Sequence, residues 1–536
     1  MHLISMQDRD ATSLTYGCFD RRYWAWKLVD IPEATYQRNV WPLAWLLEHG
    51  KSSALKHADQ LKRSIIAGLL YAKRIQNQDG SFNQAYPMER SYGATAFLLL
   101  PMLRAYRVVK PNLNREVSHS LEICFRRAAD YLCKSREMHG WITNHLAGAV
   151  VSLFESYQSM HDRRYLEKSK EILKDILDNQ SDEGWFPEYG GADPGYQTLC
   201  IYYLAQIYQR WPEERLEQKI ILALDFLSYF VHPDGSFGGE YGSRRTQVYY
   251  PGGIALLAKK FPHAYAINEF MLKSLSSDKT ITLNQIDMGN LAPLLSNYIL
   301  THDALQNLPK QTPIRLPFQR AELSKDFPQA GLLIRSNQNF YTIIGVSNGG
   351  VMRIYRKNPP GLLLNDCGYA GELKNNQWIT SQSTNLQNQF NGSVNNIECT
   401  SQFTRMQRMV QTPAKFTLLR LLNLTIMRIR TFNEWVKRRM VKFFILSTRY
   451  VQLSLKRKIY LDENRIMISD QLSNPTLIEL QQLICGGHFI SIHMASAGYY
   501  PEAGGDEYPL IKVNKRQLNE LNRKGELTIT RKYLIK

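Results

Sequence analysis

Three short stretches hold residue types that can bind or move charge. The first is Trp141-Ile142-Thr143-Asn144-His145, a turn that leads into an apolar helix. Thr143 or Asn144 suits an ordinary helix N-cap. Asn144 and His145 side by side at a helix start can also hydrogen-bond a bound carboxylate, helped by the positive end of the helix dipole. The second runs from Glu188 to Gln197, where a Gly-rich loop with a Pro-Gly step delivers Tyr196 to the first turn of the next helix. A phenol there acts as acid and base when a cation or an oxyanion lies close; it equally suits an aromatic core position. The third is Gly239-Glu240-Tyr241-Gly242-Ser243-Arg244-Arg245-Thr246, followed by Tyr249-Tyr250-Pro251. Paired arginines after a glycine recognise carboxylate or sulfate, or else pair with local acids such as Glu240.

Elements of helical period must carry these stretches. Apolar residues at spacings of three and four predict helices over 55–76, 92–109, 117–133, 144–158, 164–179, 196–209 and 214–231. Turns of one kind separate them, with glycines at Gly80, Gly140, Gly184 and Gly235 that lie 44 to 60 residues apart. That distance leaves room for a pair of helices per repeat, so the pairs stack or close into a ring. If the turns recur at one end, their neighbours line a common face.

After Pro313 the texture changes to short β-branched and aromatic runs separated by turn signals, which reads as an antiparallel β-sandwich. The expected division is therefore a helical domain over 1–300, a proline-bearing linker over 301–315 and a β-domain over 316–536. Residues 416–446 break the β pattern with a basic amphipathic helical insertion. It packs on its own protein or lies on an anionic membrane surface.

Of the +18 net charge, much is local: residues 401–460 hold fourteen Lys or Arg against one acid, Glu434. Such a segment favours acidic partners. No nucleic-acid module accompanies it, so nucleic acid is not expected. The 30 Tyr outnumber 21 Phe, which suits clefts that are apolar yet carry hydrogen-bonding tips, as well as ordinary cores. Seven scattered cysteines form no CxxC or Cys/His cluster, so neither a disulfide framework nor a metal is expected. Residues 1–26 lack an apolar signal region and no run is long enough to span a bilayer, which points to the cytoplasm or the inner membrane face.

The Asn144-His145 helix start, the loop before Tyr196, the Ser243-Arg244-Arg245-Thr246 loop and the β-rich second half together resemble the heparinase II/III-like family. The resemblance implies an α+β multidomain chain, an incomplete (α/α) toroid joined to a β-sandwich. It also implies polysaccharide lyase chemistry, β-elimination on a polymer containing uronic acid. In that reading Tyr196 handles the C5 proton, while Asn144 and His145 neutralise the uronate carboxylate. Arg244, Arg245, Glu188, Tyr241, Tyr249 and Trp141 hold substrate, and no cofactor is needed. The expected partner is an acidic polysaccharide or a lipid-linked glycan, with an anionic membrane approached through 416–446.

Two departures stand against this. Leu146-Ala147-Gly148-Ala149 follows His145 where the resemblance implies an acid, and no histidine lies at Asn365–Tyr369, where one from the β-domain is implied. His488 and His493 come later, on an expected strand. A non-catalytic glycan-binding or scaffold protein on the same fold is the alternative. Glycoside hydrolysis by carboxylates drawn from Glu188, Asp193 and Glu240 is a second, and a terpene-cyclase-like toroid is disfavoured by the β-rich half.

Overall fold

The computed structural model describes residues 2–50, 56–138, 140–385, 390–406, 412–441, 449–492 and 510–535. Its first half is built from paired helices: α1 (Val40–His49), α2 (Ala58–Ile75), α3 (Tyr92–Val109), α4 (Arg115–Lys134), α5 (Thr143–Met160), α6 (Arg163–Asp178), α7 (Pro194–Arg210), α8 (Glu214–Ser228), α9 (Pro251–Leu257), α10 (Pro262–Ser276) and α11 (Met288–Leu305). The odd-numbered helices pack in sequence and α11 returns to α1, closing an inner ring. The even-numbered helices pack in sequence outside it.

Sequence explains the sorting. Helix α3 is buried on nearly every side, from Tyr92 to Tyr106, as an inner helix with apolar residues all round must be, and it carries the buried Arg104 with it. Helix α6 buries only Tyr165, Ser169, Ile172, Leu173, Ile176 and Leu177, one stripe at helical spacing. Six inner helices against five outer ones make the toroid incomplete, as expected.

The glycine turns link each outer helix to the next inner one, so they do share one end of the toroid. Gly80 and Gly184 have φ of +92° and +95°, and a Cβ at either would meet the carbonyl oxygen of Arg127 or Leu222 at 2.0 or 2.2 Å. The same device secures both turns: Gln76 Nε2 donates to the carbonyls of Gly80 and Cys124, and Gln180 Nε2 to those of Gly184 and Lys219.

The second half contains two antiparallel sheets. The first is a meander of β1 (Leu323–Phe327), β2 (Leu332–Ser336), β3 (Phe340–Gly345), β4 (Val351–Lys357) and β5 (Pro360–Asp366). The second contains nine strands among the described residues, including β6 (Tyr369–Leu373), β7 (Trp378–Thr380), β8 (Phe390–Ser393), β9 (Asn396–Arg405), β10 (Tyr450–Leu461), β11 (Arg465–Ser473) and β12 (Leu480–Cys485).

One face of the meander, through Leu333, Ile344 and Ile354, packs on Ile397, Ile459 and Ile468 of the second sheet. Its other face, through Leu332, Ile334, Tyr341 and Ile343, joins the core of the toroid. Strand β3 is accordingly buried at all six positions, whereas β10 alternates buried and exposed. Polar contacts across this junction include Tyr341 Oη to the Tyr229 carbonyl at 2.6 Å and Asn348 Nδ2 to the Tyr241 carbonyl at 2.7 Å.

The basic insertion between β9 and β10 forms helices α12 (Pro413–Leu424) and α13 (Arg430–Val441); residues 442–446 lie outside the described ones. It reaches back to the helical half. Met427 is fully buried, Arg420 pairs with Asp30, Asn433 donates to the Met88 carbonyl, and Arg90 donates to the Arg428 carbonyl at 3.1 Å. Its outer face keeps Leu418, Leu421, Leu424 and Trp435 exposed. No helix among the described residues is long and apolar enough to cross a membrane. All seven cysteines are free thiols.

Candidate functional site

The turn-bearing end of the toroid brings the three stretches together. Helix α5 begins at Thr143, and neither Thr143 nor Asn144 caps it, since the N-cap position falls on Ile142. Thr143 Oγ1 instead donates to the Pro187 carbonyl at 2.7 Å and receives Trp141 Nε1 at 3.1 Å. Asn144 is buried, and its backbone N–H and Nδ2 donate to Glu188 Oε1 and Oε2, both at 2.9 Å. The carboxylate that Asn144 holds in this structure is thus the protein's own. Burial of Glu188 outweighs those two bonds and pushes its carboxyl up to about 8.

His145 is held by a different acid. Its Nδ1 lies 2.6 Å from Glu137 Oε2, and its ring stands edge-on to Phe97 at 5.1 Å. Glu137 precedes His145 in sequence, so an acid does partner this histidine, from the side opposite to the one the resemblance implied. Gly93 makes room for the ring, because a Cβ there would sit 2.6 Å from His145 Nδ1.

Asp193 organises the rest. It is fully buried, caps α7 through Tyr196 N–H at 3.0 Å, and accepts the backbone N–H groups of Arg244 and Thr246 at 2.8 and 3.3 Å. Tyr196 and the arginine loop are therefore fixed to one carboxylate. The Arg244 guanidinium lies 4.1 Å above the ring of Tyr189, a half-buried residue at φ +54° whose phenol also feels Tyr196, Glu137 and Glu188. Tyr189 thus sits under Arg244 and within electrostatic reach of Tyr196, Glu137 and Glu188. Sequence reading passed over it; a bulky residue followed by Gly190-Gly191 was the available signal of a strained turn.

Other expected substrate contacts lie elsewhere. Tyr241 is buried with its hydroxyl on His232 Nε2 at 2.8 Å, and Tyr249 is buried against Phe237. Arg245 is buried too, at φ +58°, with Nη2 donating to the Gln382 carbonyl at 3.2 Å. Its Nε and Nη1 have no hydrogen-bond partner, and burial lowers its guanidinium to about 10. These three aromatic and cationic side chains fasten the loop from beneath, because the Gly-rich chain turns its apolar bulk towards the sheet. Trp141 remains half-buried beside Tyr189, whose N–H donates to the Trp141 carbonyl at 3.1 Å.

The β-domain contributes His488. It lies in a loop beyond β12 and not on a strand, because Gly486 and Gly487 at φ +68° and +60° turn the chain towards the toroid. His488 Nδ1 meets Glu240 Oε1 at 2.5 Å. Glu240 is fully buried; burial alone would raise its carboxyl, but Arg353 and His488 together outweigh that and hold it well below the usual carboxylate range. His493 lies outside the described residues.

Glu240, Cys367 and His488 place ligand-type atoms within 4.8 Å of one another. Arg353 Nη2 already donates to Glu240 Oε1 at 2.8 Å, and burial pushes the Cys367 thiol well above its ordinary range. A metal needs the thiolate and a free carboxylate, so this set fits an ion pair better than an ion.

Residues 37–255 match the family model of the ulvan lyase N-terminal domain. That match spans less than half of this chain and makes its helical half similar to a polysaccharide lyase domain. Among solved structures, the chondroitin AC lyase of Streptomyces coelicolor A3 in complex with chondroitin sulphate aligns with a TM-score of 0.54 at 8% identity, over 84% of this chain and 62% of its own. This chain thus spans less than two thirds of that enzyme. A heparinase III structure aligns over 94% of this chain and 76% of its own, at 12% identity and a TM-score of 0.46. The likeness to the first is one of fold. No curated protein matches the sequence.

Proposed function

We propose that this polysaccharide lyase-like protein cleaves a uronic-acid-containing polysaccharide by β-elimination. The observation that carries the reading is the tie of Tyr196 and Arg244 to one buried carboxylate, Asp193, beside Asn144 and with the His488–Glu240 pair delivered by the neighbouring sheet. Tyr196 takes the C5 proton. The electrons of that C–H bond form the C4–C5 double bond as the C4–O4 bond breaks, and the departing O4 oxygen takes the proton from the Tyr196 phenol. Asn144 and His145 stabilise the charge that builds on the uronate carboxylate. For Asn144 to do so, its amide must leave Glu188, which a carboxyl pushed up to about 8 permits by taking a proton and giving up its pull on the donor. Arg244 holds anionic substrate, and Trp141 and Tyr189 offer ring surface. His488 fills the role of the β-domain histidine that the family resemblance implies.

The hold of Asn144 on Glu188 also favours the second reading, a non-catalytic glycan binder whose carboxylate-neutralising group is already occupied. Hydrolysis is less well supported, because Asp193 is committed to the arginine loop and Glu240 to Arg353. The exposed apolar face of the insertion, amid its cations, supports contact with an anionic membrane or a lipid-linked glycan at the inner membrane face; co-sedimentation with anionic vesicles tests it. The catalytic reading is tested by the near-ultraviolet absorbance of unsaturated uronate products from a panel of acidic polysaccharides. A signal from wild type that vanishes in Tyr196→Phe supports it, and binding without a signal from either protein supports the binder.

A further inference from the structure

A second concavity lies beside the site, walled partly by the toroid and partly by the insertion. It is a cleft of about 230 Å³ between the end of α4, the turn at Arg90 and helix α13. That is below the roughly 300–1,000 Å³ of pockets for drug-sized ligands, so it suits one charged sugar unit and not a whole oligosaccharide. Its wall is shared with the site, since Glu137 lines the cleft and also holds His145 Nδ1.

The charges around it are unequally satisfied. Asp79 binds its own turn at Ser81 and lies 3.5 Å from Arg90, Glu137 holds His145, and Glu434 has a partner of its own. Lys134, Arg136 and Arg438 line the same cleft, are exposed, and form no ion pair among the described residues. Two come from the toroid and one from the insertion. A cleft whose acids are engaged while three cations from separate elements face it is complementary to an anion.

From this we infer that the insertion completes an anion subsite, in which Lys134, Arg136 and Arg438 bind a sulfate or carboxylate group of an acidic glycan that extends from the main site. The inference rests on the glycan reading above, but it concerns binding and not turnover. It gives the insertion a role: docking through Met427, Asn433 and Arg420 sets Arg438 across the cleft from α4.

The test is titration of a chondroitin sulfate hexasaccharide and its desulfated counterpart into wild type, Arg438→Ala, Arg136→Ala and Arg438→Lys, with circular dichroism to confirm folding. Each alanine variant should weaken the sulfated hexasaccharide roughly tenfold, as loss of one charge-assisted hydrogen bond does, and Arg438→Lys should recover part of it. An equal loss for both sugars identifies the bound group as carboxylate, and a loss for the sulfated form alone identifies sulfate. Unchanged affinity in folded Arg438→Ala and Arg136→Ala overturns the subsite, as does a wild type that binds neither sugar. So does a loss confined to vesicles of anionic phospholipid, which would make the surface a membrane contact. Tyr196→Phe separates the two claims: without turnover in any protein, arginine-dependent binding sustains the subsite while the lyase reading falls.

Discussion

His488 of the β-domain and Glu240 of the toroid are joined by a 2.5 Å hydrogen bond from imidazole Nδ1 to a fully buried carboxylate. In the tautomer that donates Nδ1–H to this carboxylate, Nε2 is left as an acceptor, and the side chain is half exposed. The geometry therefore orients the imidazole with a group that solvent cannot reach.

Glu240→Gln and His488→Gln should separate. The first leaves Arg353 buried without its partner, which costs about 3–5 kcal/mol and shows as a lower melting temperature. The second removes an exposed ring, so the melting temperature should hold while turnover falls by roughly a hundredfold or more. Equal turnover in wild type and His488→Gln would remove the histidine from the mechanism.

Tyr196→Phe keeps the Asp193 cap, because the cap uses the backbone N–H. Loss of turnover by roughly 10²–10⁴-fold with little change in polysaccharide affinity is the expected result, read from initial rates and titration.

Glu188 and Glu240 should leave opposite marks on stability against pH. The folded Glu188 carboxyl is pushed up to about 8 by burial, so the native state keeps a proton that the unfolded chain releases above its ordinary value near 4.5. Its contribution to stability therefore declines as pH rises from about 4.5 to 8 and is level above that. Glu240 is held low, so its contribution is present above the ordinary value and declines as the solution becomes more acid. Melting temperatures across this range should show Glu188→Gln losing the alkaline decline and Glu240→Gln losing the acid one.

Gly184→Ala should destabilise by about 2 kcal/mol or more, because φ is +95° and the new Cβ would press on the Leu222 carbonyl oxygen at 2.2 Å. Gly140→Ala has a similar φ but meets nothing within 4 Å, so chemical denaturation should show a smaller loss.

The toroid was legible because its information is periodic. Apolar stripes marked the outer helices, and glycines at repeat distance marked the turns that close each pair. The site was legible as far as backbone-borne features reached: the Pro-Gly step before Tyr196 and the loop before Arg244 place those residues together through Asp193. Three things escaped. Asn144 spends its amide on Glu188, a partner 44 positions away that nothing local announces. Tyr241, Tyr249 and Arg245 have side chains that suit a cleft, yet the loop turns them into the junction between toroid and sheet, where burial of aromatic surface outweighs exposure. The apolar neighbours of His488 resemble a strand, although Gly486-Gly487 just before it signals a change of direction.

The meander β1–β5 is covered on both faces, by the second sheet and by the toroid. A gene fusion that paired this toroid with a different second half would leave Leu332, Tyr341 and Ile343 without a partner, or bare the helical surface they cover. Neither half can therefore be exchanged without baring apolar surface, and change is best tolerated in segments that neither half needs for its core. The excursion between β9 and β10 is one such segment.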